Sequence, residues 1–309
     1  MNLRRLKYFV KIVDIGSLTQ AAEVLHIAQP ALSQQLATLE GELHQQLLIR
    51  TKRGVTPTEA GSILYTHAQT ILRQCEQAQS AVNSAGLSLN GQVSVGLAPG
   101  TAATSLALPL LQAVREQHPG ILLYLNENFG NVLTDLTANG RMDMAVQYGN
   151  KSAAGVTFMP LMKEDLYLVG SNSVQNPGKY VELSDVAKLN LFLPSAQNLL
   201  RKLVDESLTL RRLNAKVIGE IESANTLIAA IASGLGATIL PESAARAIIG
   251  PANAWMSCIS SPSIQAPLSL CLSDHLPLSQ AAQAVKKILL SLVENNNIAQ
   301  VAEPMLLAG

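Results

Sequence analysis

The sequence predicts an α/β protein with an all-α-type head. Up to about residue 58, the apolar side chains recur at helical spacing and share single faces of short helices. Residues 58 to about 85 contain no proline and keep a heptad rhythm of apolar positions, which is typical of one long helix. After residue 91, apolar runs alternate with amphipathic segments. Because strands that alternate with helices build parallel sheets covered on both faces, this last part is predicted to be α/β.

The composition bounds the size and the partners of the protein. A chain of 309 residues suits two or three domains, and its 48% hydrophobic residues suffice for buried sheets. The formal net charge is zero, but residues 1–89 hold 8 Lys and Arg against 6 Asp and Glu, so the head is mildly basic. Binding to a polyanion therefore depends on where the charges lie rather than on the bulk potential.

Cysteine usage and hydropathy indicate a cytoplasmic protein. Cys75, Cys258 and Cys271 have no close spacing, so we expect small core residues in a reducing compartment, without a disulfide or a metal. The basic N-terminus lacks the uninterrupted apolar core of a signal peptide. The charge-free stretch 223–241 contains too many Ser, Asn, Thr and Gly residues for a membrane span.

Two short helices joined by a tight turn are predicted in the head. Ser17 and Gln20 have capping-box spacing, so a helix should begin at Leu18. Pro30 stands where a second helix would begin, a position that tolerates a missing N–H. The second helix buries a stripe of leucines spaced by 4, 3 and 4 residues, namely Leu32, Leu36, Leu39 and Leu43.

The opposite face of this second helix has small or amide side chains and no charge in its first turns. Its residues are Gln29, Pro30, Ser33, Gln34, Ala37 and Thr38. Such a face suits the major groove of DNA, where Gln presents a donor and an acceptor to a base edge. A solvated helix face would more often carry Glu and Lys pairs. Taken alone, two helices with a tight turn are also typical of many small α proteins.

A basic loop follows the two helices. Arg50, Lys52 and Arg53 cluster around Gly54, and residues 56–58 close the loop with Thr-Pro-Thr. This pattern predicts a hairpin wing beside the helices, and the three elements together predict a winged helix-turn-helix. The alternative is an ordinary solvated run of charges.

Over residues 1–62 the sequence resembles the LysR-type transcriptional regulators, and a weaker resemblance continues to about residue 295. It rests on Leu6, Phe9, the run 17–19, Ala21, Ala22, Leu25, the run 29–33, Leu39, Glu40, the run 47–50, Arg53 and the run 56–61. The resemblance implies a regulator that activates and represses transcription, contacts RNA polymerase and forms homodimers or homotetramers. The chain departs from the family at Gln34, where many members have Arg.

Within the head, we predict contacts to both grooves of double-stranded DNA. The residues expected to touch bases in the major groove are Gln29, Pro30, Ala31, Ser33 and Gln34. The residues expected to hold phosphates are Thr19, Arg50, Lys52 and Thr58. Arg53 is expected to enter the adjacent minor groove.

The long helix is predicted to pair two copies of the chain. Its apolar positions are spaced alternately by 4 and 3 residues and form a seam of Leu64, Ala68, Ile71, Cys75, Ala78, Val82 and Ala85. The alternative is a helix packed only on the core of its own domain. The family resemblance also implies dimerisation here, and two winged units at fixed separation would bind an interrupted inverted repeat. Residues 84–91 are predicted to be a hinge.

The apolar runs of the last two thirds predict eight strands, at residues 93–97, 121–125, 144–148, 166–170, 191–193, 216–218, 237–240 and 268–272. Helices are predicted at residues 104–118, 132–139, 197–210, 224–233, 242–249 and 279–294. The resemblance implies the two-lobed arrangement of periplasmic binding proteins. The expected domains are then 1–58 for DNA binding, 59–91 for the linker, 92–162 with 267–295 for lobe one, 163–266 for lobe two and 296–309 for a tail.

An effector pocket is predicted where strands end, because ligands of open α/β sheets bind beyond the carboxyl ends of the strands. The candidate residues are Pro99, Gly100, Thr101, Ala102, Phe129, Gly130, Asn131, Pro194 and Ser195. After the first strand, at residues 99–102, a helix N-terminus could hold an anion. Since these loops contain no Lys or Arg, any effector should be small and held by hydroxyl and backbone donors. Each loop is also compatible with an ordinary turn.

Two functions fit these observations. The first is a sequence-specific transcriptional regulator, and the alternative is a cytoplasmic receptor for a small solute that uses the two-lobed domain. An enzyme is not expected, since the five histidines are scattered and no Gly-x-Ser-x-Gly or phosphate-loop motif occurs. No cofactor is expected.

Overall fold

The computed structural model describes residues 1–51, 54–83, 89–98, 102–128, 130–149 and 153–306. The chain divides into two compact units. One consists of residues 1–86 with 139–141, and the other consists of residues 87–138 with 142–309. The first unit contains the predicted head and long helix, and the second contains the predicted sheets.

The N-terminal unit consists of three short helices, a two-stranded hairpin and a long helix. In chain order they are α1 Leu3–Ile15, α2 Leu18–Val24, α3 Gln29–Leu43, β1 Leu48–Thr51, β2 Gly54–Pro57 and α4 Glu59–Asn83. β1 and β2 are antiparallel, with Arg50 opposite Val55. This arrangement is a winged helix-turn-helix, as the sequence predicts.

The ends of these helices follow local sequence signals. Ser17 Oγ accepts a hydrogen bond from the Gln20 N–H at 3.4 Å, and α2 begins at Leu18 as predicted. Pro30 is the second residue of α3, where a missing N–H is harmless because the first turn of a helix has no internal acceptor. α1 ends at Ile15, and the Gly16 that caps it has a φ of 72°, in the left-handed region that glycine adopts readily.

The core of the N-terminal unit joins the three short helices to the first strand of the wing. Leu32, Leu36 and Leu39 of the predicted stripe are buried, and Leu43 packs at the edge of the cluster. Their buried partners are Phe9, Ile12, Leu18, Ala21, Ala22, Leu47 and Leu48. Because this stripe faces inward, the polar face of α3 points away from the core.

The C-terminal unit is an α/β structure. Its described strands are β3 Gly91–Leu97, β4 Ile121–Glu127, β5 Met144–Tyr148, β6 Val156–Ser171, β7 Tyr180–Glu182, β8 Asn190–Leu193, β9 Lys216–Glu220, β10 Ala237–Pro241, β11 Ala254–Ser261 and β12 Gln265–Ser273. Its described helices are α5 Ala102–Gln117, α6 Gly130–Ala138, α7 Leu183–Val186, α8 Leu199–Leu210, α9 Ala224–Ala232, α10 Glu242–Ile249 and α11 Gln280–Leu306.

Two lobes share the long strand β6. Lobe one has the strand order β4-β3-β5-β12-β6, and lobe two has the order β6-β10-β8-β9, with β11 and β7 on the other side of β6. β12 pairs with β6 as far as Asp165, and β10 and β11 pair with it from Leu166 onward. The chain therefore crosses between the lobes at Asp165 and Leu166, three residues beyond the boundary expected at 162.

The sheets are covered by helices on both faces. β5 and β10 are buried along their whole length, which is the pattern of central strands in a covered sheet. After β12 the chain returns to lobe one, where α11 packs against α5 and β3. The C-terminal unit is therefore the two-lobed α/β structure that the sequence predicts.

Each predicted strand overlaps an observed one, but β7, β11 and the first part of β6 are not predicted from the sequence. In that part of β6, the apolar pattern of the sequence is interrupted by Pro160, Lys163 and Glu164. The segment is a strand nevertheless, because it pairs with β12. Gly91, placed in the hinge, begins β3. α11 continues to Leu306, into the predicted tail, since no glycine or proline stops it before position 304.

Candidate nucleic-acid interface and effector cleft

The first turns of α3 present uncharged polar groups to solvent. Gln29, Pro30, Ala31 and Gln34 are exposed, and Ser33 is half-buried. The first turn of α3 contains no acidic residue. Within the described part of the chain, the side-chain amides of Gln29 and Gln34 have no hydrogen-bond partner. Both amides are therefore available to a molecule outside the protein.

The wing places a cation beside this face. Arg50 on β1 is exposed, and its Nη2 donates a hydrogen bond to Ser33 Oγ at 3.2 Å. Ser33 Oγ accepts this bond and keeps its own proton, which it can donate to a further acceptor. Thr19, in the first turn of α2, is exposed as well. The structure thus brings two of the predicted contacts, Ser33 and Arg50, together.

The tip of the wing, with Lys52 and Arg53, lies outside the described residues. The strand beside it is anchored to the turn between α1 and α2, because the Val55 N–H donates to Gly16 O at 2.8 Å. Gly54 has a φ of 128°, and a Cβ at this position would lie 2.5 Å from Gly16 O. Only glycine allows this close approach.

Thr58 has a structural role that is not predicted from the sequence. Its Oγ1 accepts a hydrogen bond from the Gly61 N–H at 3.0 Å and so caps the first turn of α4. The same hydroxyl donates to Gln46 O at 2.7 Å. Since a hydroxyl has one proton, Thr58 in this conformation has none left for a phosphate.

Glu40 holds the segment between α3 and the wing. Its Oε1 accepts hydrogen bonds from the Leu47 N–H at 2.8 Å and from the Leu48 N–H at 3.3 Å. Leu47 and Leu48 are buried in the core, so this carboxylate sets where β1 begins relative to α3. From the sequence, Glu40 is recognisable only as part of the family pattern, and no role is predicted for it.

The start of α1 is tied to α3. Arg5 Nη1 donates to Glu42 Oε1 at 2.7 Å, and Arg5 Nε donates to Gln35 Oε1 at 3.1 Å. The N-terminal amine also lies 2.9 Å from Glu42 Oε2. Hydrogen bonds from that amine and from Arg5 hold the pKa of Glu42 below its ordinary value. The Glu42 carboxylate is thereby paired with cations, and it lies at the opposite end of α3 from Gln29 and Gln34.

Along α4 the predicted seam changes from buried to exposed. Leu64 packs against the core of the head and Ala68 is fully buried, whereas Ala78 and Val82 are exposed, Val82 by 74%. Ile71 and Cys75 are half-buried, and Ala85 lies outside the described residues. The beginning of the seam therefore matches the alternative of packing on its own domain, and its end presents apolar surface.

Tyr65 fixes α4 to α1. Its hydroxyl donates a hydrogen bond to Asp14 Oδ1. Burial first, and then this bond to a carboxylate, raise the pKa of Tyr65 to about 12. The phenol consequently stays protonated at neutral pH and keeps donating to Asp14.

In lobe one, four predicted effector residues lie outside the described residues, namely Pro99, Gly100, Thr101 and Phe129. Ala102, Gly130 and Asn131 lie in the first turns of α5 and α6 rather than in loops as predicted. Beside them, Gln147 is 1% exposed and its Oε1 has no partner among the described residues. A Cβ at Gly130 would lie 2.8 Å from that oxygen, so glycine permits the approach.

In lobe two, Pro194 and Ser195 follow β8 and face a carboxylate that follows the neighbouring strand β9. Glu222 Oε1 accepts from the Ser195 N–H at 3.0 Å and from Ser195 Oγ at 2.6 Å. Glu222 Oε2 accepts from Asn198 Nδ2 at 3.5 Å. Behind this loop, Arg201 Nη1 donates to Pro194 O at 3.2 Å. The predicted donors of Ser195 are thus engaged within the chain.

A second carboxylate lies where β6 crosses between the lobes. Glu164 is 3% exposed, and its Oε1 accepts from the Ser243 N–H in the first turn of α10 at 2.9 Å. Its Oε2 accepts from the hydroxyl of Tyr148, the last residue of β5. One buried carboxylate therefore bonds to a residue of each lobe. Sequence reasoning missed Glu164 and Glu222, whose only signal is a charge at the end of an apolar run.

The described residues give no indication of a metal site, a disulfide or a membrane span. No group of three or more His, Cys, Asp and Glu residues among them is placed to hold a metal. The three cysteines are free thiols, and burial raises the pKa of Cys271 to about 11. Among the described residues, no helix has the length and apolarity to cross a membrane.

A winged helix-turn-helix joined to a two-lobed α/β unit defines a class of DNA-binding regulators with a ligand-binding domain. Residues 3–62 match the bacterial regulatory helix-turn-helix proteins of the lysR family, and residues 87–293 match the LysR substrate binding domain. The chain therefore belongs to the LysR family, and the resemblance found in the sequence is confirmed.

Similar proteins cover nearly the whole chain. It is 65% identical to the nitrogen assimilation regulatory protein nac of Klebsiella aerogenes, over 96% of this chain and 97% of that protein. It is 63% identical to the protein of the same name from Escherichia coli (strain K12), over 96% of each. The solved structure of full-length CbnR complexed with its target DNA has a TM-score of 0.72 at 22% identity, over 94% of this chain and 99% of that one, and shows the shared fold.

Proposed function

We propose that this protein is a sequence-specific regulator of transcription that controls genes of nitrogen assimilation. Its membership of the LysR family supports the regulator, and the name of its two relatives supports the set of genes. The observation that carries the proposal is the exposed, uncharged face of α3 with Arg50 beside it. We place the protein in the cytoplasm, as a regulator rather than an enzyme.

The base contacts come from the first turns of α3. Gln29 and Gln34 offer amides that have no partner among the described residues, and Ser33 offers its remaining proton to a base edge. Pro30 and Ala31 are exposed and small enough to contact a thymine methyl group.

The wing and α2 supply the contacts to the sugar-phosphate backbone. Arg50, Lys52 and Thr19 hold phosphates, and Arg53 enters the minor groove. We leave Thr58 out of this set, because its hydroxyl proton is donated to Gln46 O.

The functional unit is a dimer paired through α4. The exposed apolar side chains of Ala78 and Val82 at the end of the seam support this pairing. Two heads at fixed separation then bind an interrupted inverted repeat, and pairing of dimers gives a tetramer. Contact with RNA polymerase leads to activation, and a site overlapping a promoter leads to repression.

The C-terminal unit, whose chain passes from lobe one to lobe two at Asp165 and Leu166 and returns to lobe one after β12, is the domain that senses a small molecule. We place the candidate pocket at the strand ends, where Gln147 Oε1 is buried without a partner among the described residues and lies close to Gly130. A small neutral molecule with a hydrogen-bond donor would satisfy that oxygen.

Selection of binding sites by the full-length protein from a random duplex library tests the proposal. We expect recovery of inverted half-sites with a constant spacer, and groove protection at both half-sites in footprinting. Equal recovery of all sequences at moderate salt would contradict the regulator. It would favour the alternative, a cytoplasmic receptor for a small solute that uses the two-lobed unit.

A further inference from the structure

The strands β8, β9 and β10 end together at one edge of the lobe-two sheet, because they are parallel neighbours. We call this the lobe-two edge and define it by Ser195, Glu222 and Ser243, which follow the three strands. Ligands of open α/β sheets bind at such edges. A carboxylate or a phosphate would be held there by backbone N–H groups and hydroxyls.

At the lobe-two edge, N–H groups and hydroxyls of this kind are already hydrogen-bonded to carboxylates of the same chain. Glu222 Oε1 accepts from the N–H of Ser195 at 3.0 Å and from its hydroxyl at 2.6 Å. Glu164 Oε1 accepts from the N–H of Ser243 at 2.9 Å. An anion arriving from solvent would meet these two carboxylates and find the donors engaged, so repulsion adds to the loss of partners.

The surroundings of Glu222 are those of a bound carboxylate ligand. Its oxygens accept from a backbone N–H, a hydroxyl and the amide of Asn198, which are all neutral donors. Arg201, the cation behind this loop, instead bonds to Asp205 and Glu220. Removal of the Glu222 side chain would leave neutral donors around a space of carboxylate size.

We infer that Glu222 is a built-in ligand of the Ser195 loop and that it excludes anionic effectors from the lobe-two edge. The loop is thereby held as a carboxylate effector would hold it, without an added molecule. This inference rests on the proposed role of the two-lobed unit as a sensor. It leaves the lobe-one side, with Gln147 and Gly130, as the place for a neutral effector.

The test compares thermal unfolding of the full-length wild type, Glu222→Ala and Glu222→Gln in sodium acetate, with ionic strength held constant by sodium chloride. Acetate reproduces the end of a glutamate side chain. We expect Glu222→Ala to melt roughly 3–8 °C below the wild type, because Ser195 loses a charged acceptor. Acetate should raise that melting temperature saturably and leave the wild type unchanged. Glu222→Gln keeps an acceptor in the same space and should not respond.

Glu220→Ala is the matched control, since Glu220 lies two residues away and bonds to Arg201 rather than to Ser195. This variant should show no response to acetate. Adding Ser195→Ala to Glu222→Ala should weaken the acetate effect severalfold, because one donor is gone.

Recovery of folded Glu222→Ala only in acetate medium would also support the inference. A saturable acetate response of the wild type, no response of Glu222→Ala, or failure of Glu222→Ala to fold in either medium would overturn it. Selection of duplex sites by the wild-type preparation tests the proposed regulator separately, since it reports on the head and not on Glu222.

Discussion

The exposed face of α3 and the lobe-two edge differ in whether their neutral polar groups are hydrogen-bonded within the chain. The amides of Gln29 and Gln34 have no partner among the described residues, whereas the donors of Ser195 and Ser243 are bonded to carboxylates of the same chain. Buried or half-buried polar groups are normally satisfied, so a satisfied group contributes first to stability. Exposed groups without an internal partner are the ones that a second molecule can use.

This difference separates two kinds of substitution. Removing a carboxylate that bonds backbone N–H groups, as Glu40 and Glu222 do, should lower the free energy of unfolding and leave DNA sequence preference intact. Removing an exposed amide from the first turns of α3 should lower DNA affinity and leave stability intact. A substitution that did both, or the reverse, would show that the hydrogen bonds within the chain do not distinguish the two regions.

The largest effect is expected for Glu40→Ala. The carboxylate bonds to the N–H groups of Leu47 and Leu48, and removing it leaves two donors beside the core without an acceptor. We expect a loss of about 2–4 kcal/mol in the free energy of unfolding of the head. Urea denaturation, followed by a signal from the N-terminal unit, measures this loss.

Glu42→Ala is the control for that change. Glu42 is exposed near the same end of α3, with Arg5 and the N-terminal amine as partners. Exposed ion pairs contribute little, so its unfolding midpoint should stay close to that of the wild type. Equal losses in the two variants would remove Glu40 from its place as the anchor of β1.

The features predictable from the sequence are those decided within one turn or one helix. The start of α2 at Leu18 follows from Ser17, and the start of α3 follows from Pro30, because caps and missing N–H groups act over three or four residues. The leucine stripe of α3 is likewise a local pattern.

The features missed by sequence reasoning depend on partners far along the chain. Glu222 bonds to Ser195, 27 residues away, and Glu164 bonds to Ser243, 79 residues away. Such pairs can be predicted only when the order of the strands is known. A single carboxylate in the sequence does not show which donors it will accept hydrogen bonds from. For the same reason, the sequence predicts the loop of Ser195 but not that the Glu222 carboxylate bonds to it.

Gln34→Ala should affect recognition and spare stability. The exposed amide has no partner among the described residues, so its loss leaves the head folded. We expect a loss of about 1–3 kcal/mol in binding to the preferred duplex and relaxed preference at one base pair. Titrations with duplexes that vary at single positions measure both effects.

Gln45→Ala is the matched control, an exposed glutamine after the end of α3. It should bind each duplex as the wild type does. If Gln34→Ala kept full affinity and full selectivity, the exposed amide would not read a base.

The seam of α4 extends the comparison to apolar groups. Val82 is 74% exposed in the single chain, and we expect a second copy to cover it. A charge at a core position of a helical pair is poorly solvated, so Val82→Glu should weaken the dimer by about 1.4 kcal/mol or more, roughly tenfold in dissociation constant. Sedimentation of dilute protein measures this change. The exposed neighbour Gln79, changed to Glu, should leave the dimer intact.

The smallest effect is expected for Lys52→Ala, which tests a contact that carries no sequence information. A lysine on a phosphate releases a counterion from DNA, so the slope of the logarithm of affinity against that of salt should fall in magnitude by about 1. Preferred and random duplexes should lose affinity alike, in contrast to Gln34→Ala. Lys188→Ala, which removes an exposed lysine paired with Asp185 in lobe two, should keep the wild-type slope. An unchanged slope for Lys52→Ala would place the wing's cationic contact at Arg50 or Arg53 instead.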